Sequence, residues 1–400
     1  MFLNFGIKNY RSIGDELKID FSIAKSQRLG AFTDLGGLGI NKIACLVGPN
    51  ASGKSNILRG IVHFLSYMCR SYARPDLRNI PLTPHFCCAS KPAEFSVEFI
   101  EKDVQYEYVI SLLNNVVQQE SLKRYNPNTK RYKSVFTREL NEVKHYDMEI
   151  NKSDLSRLTE DISLFSLLLW SNYWGKESFL GLKNNILSNV QFGLSFAFQN
   201  PFEKVANITK KLRLDKFLLE ELIDELKAID TGISGLRLEK VQAITQVPVD
   251  KEAIKQEIET LFTLHCINGD NYSLHLLDES AGTVNFIGLF THLYNLLRNG
   301  GILIADELEQ SLHPDITGRI LNIFLDRDKN PNNAQLLFTT HNPWFLQDLT
   351  KTQIIITEKN ERGETEITRL DEIRGVRNDE NYFLKYINGE YDGKPRIKEL

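Results

Sequence analysis

The sequence predicts an α/β fold with a phosphate-binding loop at the edge of a parallel β-sheet. Three apolar runs support this prediction. Ile43 to Val47 precedes G-P-N-A-S-G-K-S, Gly301 to Ala305 precedes Asp306 and Glu307, and Leu336 to Phe338 precedes T-T-H-N-P. Short apolar runs bounded by glycine or polar residues are typical of buried strands. Because parallel strands end at one edge of their sheet, we expect the three polar segments to lie together there.

The composition is that of an ordinary globular protein. The chain has 400 residues, of which 42% are hydrophobic and 25% charged, and its formal net charge is -4. Without a basic excess, contact with nucleic acid would need a local patch. The start of the chain lacks the pattern of a secretory signal, and the apolar clusters are too short to span a bilayer. The five cysteines form no C-x-x-C pair, and the adjacent Cys87 and Cys88 are interpreted as small apolar side chains rather than a redox or metal site. We therefore expect a cytoplasmic protein that does not enter a membrane.

A β-hairpin is predicted at the N-terminus. Phe2 to Ile7 and Leu17 to Phe21 read as strands, and Asn9-Tyr10-Arg11-Ser12 forms a turn after the first. This turn resembles the N-[FY]-[RK]-S segment that often follows the first strand in the ABC-type ATPases that handle chromosomes, such as RecF and the SMC proteins. The resemblance implies that Arg11 contacts the nucleotide or the loop above it. An arginine in a surface turn is as often only solvated, and both interpretations stay open.

The phosphate-binding loop is a complete G-x-x-x-x-G-K-S motif, and Ser55-Asn56-Ile57-Leu58 opens a helix after it. Backbone N–H groups from Asn50 to Lys54 are expected to point at the β-phosphate of ATP. Lys54 is expected to bridge the β- and γ-phosphates, and Ser55 to hold Mg²⁺. The alternative, a chance glycine-rich turn, does not explain the strand, loop and helix in series. The predicted nucleotide-binding residues are Gly48, Pro49, Asn50, Ala51, Ser52, Gly53, Lys54, Ser55 and Asn56.

An ATPase domain interrupted by an insertion is predicted. Ala93 to Phe99 and Tyr106 to Leu113 read as a hairpin, whereas from Lys133 to Glu225 the pattern becomes mainly helical without a strict seven-residue repeat. This predicts an ATPase domain in two parts, residues 1–132 and 226–400, with a compact helical insertion lobe at 133–225. The glutamine that often senses Mg²⁺ in this superfamily has no convincing match, and Pro84-His85-Phe86 occupies its place.

Two adjacent acids follow the strand Gly301 to Ala305, which is the arrangement of a Walker B motif. Asp306 is expected to bind Mg²⁺, through water or Ser55. Glu307 is expected to orient and deprotonate the water that attacks the γ-phosphate. A strand that ends in two merely solvated acids is the alternative, and it fits poorly beside an intact phosphate-binding loop.

A weaker motif lies 26 residues before Asp306. Leu277-Asp278-Glu279-Ser280-Ala281-Gly282-Thr283 precedes an apolar helix and resembles the signature motif of ABC-type ATPases. Ser280 and the backbone at Gly282 would bind a γ-phosphate at the N-terminus of that helix. Leu308 to Pro314 resembles the D-loop region of the same proteins. In this class the signature faces the phosphate-binding loop of a second protomer, so the resemblance implies an ATP-sandwich homodimer or a higher homo-oligomer.

His341 follows the apolar strand Leu336 to Phe338, at the position where ABC-type enzymes have their switch histidine. It would hydrogen-bond the γ-phosphate or the attacking water. A lone histidine is usually structural, but the motif T-T-H-N-P after a Walker B strand favours function. Four motifs in this order exclude most P-loop kinases and GTPases.

The segment Asn381 to Pro395 resembles the Y-L-x-G-x-Y-G-x-x-P ending of a bacterial and archaeal group of ABC-like ATPases, although Ile387 and Asp392 depart from it. This group includes the RloA and AbiL type and AriA of the PARIS system, and it is related to the OLD-type enzymes. The resemblance implies an ABC-ATPase-type P-loop fold with an N-terminal antiparallel β lobe and a mainly helical insertion. It also implies an ATPase that needs ATP and Mg²⁺ and acts in phage defence or abortive infection beside a separately encoded effector nuclease.

Two alternative functions make different demands on the sequence. A RecF-like ATPase in DNA repair would bind duplex DNA in a basic groove across its dimer, with a steep salt dependence. A stand-alone metal-dependent nuclease has no support, because apart from Asp306 and Glu307 the sequence suggests no carboxylate cluster with a plausible metal geometry.

Overall fold

The computed structural model describes residues 1–24, 32–35, 37–146, 152–171, 191–192, 200–229, 232–245, 254–310, 312–391 and 393. The chain divides into two compact units. Unit 1 is Met1–Phe192, Leu296–Leu308 and Ile320–Leu400, and unit 2 is Gly193–Asn295 and Glu309–Arg319. These boundaries differ from the predicted ones at residues 132 and 225. None of the helices in the described ranges is both long and apolar enough to cross a membrane.

Residues 1–192 are mainly β in the described ranges. The strands are Phe2–Lys8 (β1), Leu17–Asp20 (β2), Ser22–Ile23 (β3), Phe32–Leu35 (β4), Leu38–Asn41 (β5), Ile43–Val47 (β6), Ala93–Glu101 (β7), Val104–Leu113 (β8), Val116–Asn126 (β9), Arg131–Glu139 (β10), Glu142–Tyr146 (β11) and Gln191–Phe192 (β12). The helices are Lys54–Arg70 (α1), Pro75–Arg78 (α2), Lys152–Leu155 (α3) and Leu164–Trp170 (α4).

The remaining elements alternate between helices and strands. The helices are Pro201–Leu214 (α5), Lys216–Ala228 (α6), Ala281–Asn299 (α7), Pro314–Leu325 (α8) and Tyr382–Asn388 (α9). The strands are Ile233–Thr245 (β13), Ile254–Ile267 (β14), Asp270–His275 (β15), Ile302–Ala305 (β16), Gln335–Thr340 (β17), Ile354–Lys359 (β18) and Thr365–Arg369 (β19).

Unit 1 contains the predicted parallel sheet. Its strand order is β12-β16-β17-β6-β18-β19, and every neighbouring pair is parallel except β18 and β19. Strand β6, which leads into the phosphate-binding loop, therefore lies between two strands from the last third of the chain. All residues of β6, β16 and β17 are buried. This explains why these strands read as continuous apolar runs instead of alternating patterns.

The N-terminal lobe is a seven-stranded antiparallel sheet in the order β11-β10-β9-β8-β7-β1-β2. The predicted hairpins β1–β2 and β7–β8 are both present in it. A smaller antiparallel sheet, β3-β5-β4, accompanies it. The predicted α/β class with an N-terminal antiparallel lobe is thus confirmed.

Helix α1 joins the two larger sheets of unit 1. Its apolar residues recur at helical spacing and form one core with side chains from both sheets. Phe64 stacks on Phe95 of β7, with 5.5 Å between ring centroids, and its ring also stacks with that of Tyr108 on β8. Burial of this face holds the N-terminus of α1, and with it the phosphate-binding loop, in a fixed position.

A buried ion pair links the outer strands of this lobe to α4. Arg138 on β10 lies opposite Glu120 on β9, with 3.2 Å between Nη1 and Oε2, and neither side chain is exposed. The Glu120 carboxylate also accepts hydrogen bonds from Leu164 N and Phe165 N in the first turn of α4. The charge is therefore both paired and used as a helix cap.

Unit 2 consists of helices packed on a three-stranded antiparallel sheet, β13-β14-β15. Its core is formed by the apolar faces of α5 and α6, with Leu236, Leu261 and Phe286 among the partners. Lys211 on α5 contacts both ring nitrogens of His292 on α7, at 2.7 and 2.9 Å.

The prediction of a mainly helical region from Lys133 is wrong at its start. Residues 133–146 lie in β10 and β11, which are the outer strands of the N-terminal sheet. In β10 the adjacent Val135 and Phe136 are both buried beside a register shift, and the charged Arg138 is buried as well, so the sequence lacks the alternating pattern that would have indicated a strand. Helices α4, α5 and most of α6 do fall within the predicted insertion.

Candidate nucleotide-binding site

The phosphate-binding loop lies between β6 and α1, as the sequence predicts. Ala51 and Gly53 have positive φ angles of 63° and 111°, which bend the loop before the helix. The Lys54 side chain folds back over the loop, and its Nζ donates to Gly48 O at 2.8 Å and Pro49 O at 3.0 Å. Lys54 is buried, with 5% of its surface exposed. Both acceptors are backbone carbonyls of the loop, so neither of these two hydrogen bonds pairs the lysine charge with a carboxylate.

A large cavity opens at this loop, with a volume of about 1290 Å³. It is lined by Ser12, residues 48–56, Glu307, His341, Pro343, Lys359, Tyr386 and Ile387, all of which belong to unit 1. The buried Ser52 Oγ has no hydrogen-bond partner within the described ranges. An orphaned polar atom, a buried lysine and the N-terminus of a long helix fit the triphosphate of a nucleotide.

The hairpin β18–β19 packs against the outside of the loop. A Cβ atom on Gly53 would overlap Thr365 Oγ1, and one on Gly48 would overlap the carbonyl oxygen of Thr357. Thr365 Oγ1 donates to Ser52 O at 3.0 Å. Both motif glycines are therefore required by this close approach, and Gly53 also by its φ angle.

The two predicted acids occupy different environments. Parallel pairing of Ala305 with Phe338 brings the end of β16 beside the end of β17. Thr339 Oγ1 donates to Asp306 Oδ1 at 2.6 Å and accepts from Glu307 N at 2.7 Å. Asp306 is buried at 5% exposure, whereas Glu307 lines the cavity. One threonine hydroxyl therefore fixes the carboxylate of the first acid and the backbone of the second.

Glu307 and His341 meet in the cavity. His341 Nε2 lies 3.3 Å from Glu307 Oε1, and the two side chains are 39% and 40% exposed. Glu307 has a φ of 52°, which is uncommon for a residue other than glycine and concentrates at functional sites. A carboxylate beside an imidazole, both open to the phosphate-binding loop, can accept a proton from a water molecule and hold that water in place.

Arg11 directly precedes Ser12, which lines the cavity, but the Arg11 side chain packs on Tyr10. Its Nε donates to Tyr10 Oη at 3.1 Å, and its guanidinium carbon lies 5.6 Å from the ring centroid. Among the described residues that line the cavity are Ser12 and Asn56 but not Arg11. Asn56 Nδ2 donates to Ser12 Oγ at 2.8 Å. Contact of Arg11 with a nucleotide stays a prediction.

Ser280 and Gly282 belong to unit 2. Ser280 Oγ accepts from Thr283 N at 3.1 Å, so that Ser280 caps α7, and Gly282 lies in the first turn. The preceding Glu279 accepts from Thr263 Oγ1 at 2.6 Å. These contacts give the segment a structural role, and its proposed contact with a γ-phosphate is a prediction for the dimer.

Sequence reasoning missed Ser12, Lys359, Thr365 and Tyr386. Lys359 and Thr365 flank the turn of the β18–β19 hairpin, and nothing in the sequence places that turn beside the phosphate-binding loop. The order of strands, with β18 next to β6, was the missing information.

The strand, loop and helix, together with a carboxylate and an imidazole in the same cavity, define this chain as a P-loop protein of the nucleotide-binding class. A family model described as "AAA domain, putative AbiEii toxin, Type IV TA system" matches residues 43–346. Because this match covers well over half of the chain, the protein belongs to that family.

Proteins similar to this chain include one curated protein and two solved structures. Septu protein PtuA from Bacillus mycoides (strain KBAB4) is 27% identical over 213 residues, which are 50% of this chain and 26% of that protein. The SMC head domain from Thermotoga maritima has a TM-score of 0.41 and 13% identity, over 92% of this chain and 98% of its own. The Smc head domain with a coiled coil and joint from Pyrococcus yayanosii has a TM-score of 0.39 and 11% identity, over 97% and 99%.

Proposed function

We propose that this protein binds ATP with Mg²⁺ in the cavity at the phosphate-binding loop and hydrolyses it to ADP and phosphate. The observation that carries the proposal is the Glu307–His341 pair, 3.3 Å apart, in the cavity that also contains Lys54. A base and its orienting partner are needed for attack by water, and a lysine in a phosphate-binding loop is needed to hold the group attacked.

Each residue has a defined part in this reaction. Lys54 and the loop N–H groups bind the phosphates, and Ser55 with Asp306 would hold Mg²⁺, which would neutralise phosphate charge. Glu307 takes the proton of the attacking water, and His341 hydrogen-bonds the same water or the γ-phosphate. Thr339 positions both acids through its hydroxyl. Ser280 and Gly282 of a second copy complete the site in an ATP-dependent homodimer.

At the cellular level, we propose a cytoplasmic regulatory subunit in phage defence whose ATP state controls a partner effector nuclease. Support comes from the family to which the chain belongs, the similarity to Septu protein PtuA and the resemblance of residues 381–395 to defence ATPases. The nucleotide site supplies a two-state signal, since ATP and ADP differ by the phosphate that would join two protomers.

The enzymatic proposal is tested with purified variants. Lys54→Ala should abolish ATP binding by calorimetry, whereas Lys351→Ala, which removes a lysine bonded to Val376 O, should not. Glu307→Gln should bind ATP, form a stable dimer and lose about 10²–10⁴-fold in turnover. The exposed Glu361→Gln is its control. Unchanged ATP affinity in Lys54→Ala, or normal turnover in Glu307→Gln, would refute the assignment.

The regulatory proposal is tested by purifying tagged Glu307→Gln from its native host with ATP. Stoichiometric recovery of a nuclease encoded beside this gene supports it. Recovery of the protein alone, bound to duplex DNA when nuclease treatment is omitted, refutes it in favour of the RecF-like repair function.

A further inference from the structure

We propose that Lys359 is a second lysine that binds a phosphate group of the nucleotide. The proposal rests on the nucleotide-binding function above. The family match ends at residue 346, so Lys359 and the hairpin that carries it lie outside it.

The hairpin brings Lys359 to the phosphate-binding loop. Lys359 is the last residue of β18 and pairs in register with Thr365, the first residue of β19. Thr365 Oγ1 in turn donates to Ser52 O in the loop and lies 2.8 Å from Ser12 Oγ. Lys359 lines the same cavity as Lys54, Glu307 and His341. Its position is thus tied to the loop through Thr365, and its side chain is accessible to a ligand in the cavity.

The hydrogen bonds of Lys359 leave it suited to an anion. Its Nζ donates to Gly363 O at 2.8 Å and to Thr365 Oγ1 at 3.1 Å, and both acceptors are neutral. An ammonium group has three N–H donors, so within the described ranges one donor remains for a ligand. By contrast, Lys8 in the neighbouring sheet is paired with the Glu94 carboxylate at 3.0 Å.

The charge balance of the cavity favours the same conclusion. Its described lining carries the cations Lys54 and Lys359, the carboxylate Glu307 and the titratable His341. Partial burial lowers the pKa of Lys359, while the nearby Glu364 opposes this shift. A phosphate oxygen would stabilise the charged form that burial disfavours, and charge-assisted hydrogen bonds are the stronger class.

The test compares two ligands, ATP and inorganic tripolyphosphate, by calorimetry. Lys359→Gln should weaken both by about tenfold to a hundredfold, as expected for loss of a hydrogen bond between charged groups. Lys359→Arg should retain most of the affinity because it keeps the charge. Lys351 donates to a backbone carbonyl and is absent from the described lining of the cavity, so the Lys351→Gln variant should bind both ligands like the wild type.

The outcomes separate the two proposals. If the wild type binds ATP and Lys359→Gln binds both ligands within twofold of it, the Lys359 proposal fails alone. If Lys359→Gln weakens ATP but not tripolyphosphate, the contact is to base or ribose and the proposal also fails. If Lys359→Gln and Lys359→Arg are equally weakened, Lys359 only supports the hairpin and the phosphate contact is refuted. If the wild type binds neither ligand, the nucleotide-binding function itself fails.

Discussion

Replacing Thr339 by valine should uncouple the two acids of the site from each other. Thr339 is fully buried, and its hydroxyl donates to Asp306 Oδ1 and accepts from Glu307 N. Valine has nearly the same shape but no hydroxyl, so the packing around the β17 side chain is largely kept while both hydrogen bonds are lost. Asp306 then loses a partner in a buried position.

The expected cost follows from the two bonds. A hydrogen bond to a charged group contributes about 1.5–3 kcal/mol, and one to a neutral backbone N–H about 0.5–1.5 kcal/mol. Thr339→Val should therefore lower the free energy of unfolding by about 2–4.5 kcal/mol. The neighbouring Thr340 is also fully buried, and within the described ranges its hydroxyl donates to Asn342 O at 3.2 Å and accepts from Asn342 N at 3.0 Å. Both partners are neutral, so Thr340→Val should cost about 1–3 kcal/mol and is the matched control.

Urea unfolding of both variants, with and without Mg²⁺ and ATP, measures this difference. Thr339→Val should also require more Mg²⁺ for half-maximal ATPase activity, because Asp306 is no longer held in place. The reasoning is refuted if Thr339→Val and Thr340→Val have the same stability and the same Mg²⁺ dependence.

Two further predictions concern buried charge. Glu120→Gln should lower the free energy of unfolding by about 3–5 kcal/mol because Arg138 is left buried without its counter-charge. In the same urea assay, Glu94→Gln at the exposed Lys8 pair should cost less than about 1 kcal/mol. Equal costs for the two variants would contradict the prediction. Burial, with a smaller contribution from Arg11, lowers the pKa of His63 from 6.5 to about 4. As the pH falls, the unfolded state therefore binds this proton before the folded state does, and the free energy of unfolding should fall between pH 6.5 and pH 4. His63→Leu should flatten this part of the pH profile and exposed His313→Gln should not; a profile unchanged in His63→Leu would exclude His63 as its source.

Local motifs in the sequence predicted the parts of the site that depend on neighbouring residues. The strand, loop and helix around Lys54 form one continuous segment, so their spacing carries the whole signal. The ends of β16 and β17 were also predictable, since buried parallel strands are uniformly apolar and their carboxyl ends share one edge.

Contacts between distant segments could not be predicted in this way. Which threonine of T-T-H-N-P holds Asp306 depends on the register of β16 and β17, and a shift by one residue would have exchanged Thr339 for Thr340. The role of Thr365 depends on β18 lying next to β6. Strand β10 was missed because two consecutive apolar residues, Val135 and Phe136, and the charged Arg138 are all buried in it, which interrupts the alternation of polar and apolar residues.

The position of β6 between β17 and β18 also determines when the site can form during synthesis. Residues 43–47 are synthesised long before the two strands that flank them, Gln335–Thr340 and Ile354–Lys359. Contacts across so many residues are slow to form because a long stretch of chain must first be ordered. Until then both edges of β6 lack these partners for their backbone N–H and C=O groups. Nucleotide can therefore stabilise the fold through this site only once both flanking strands have been translated.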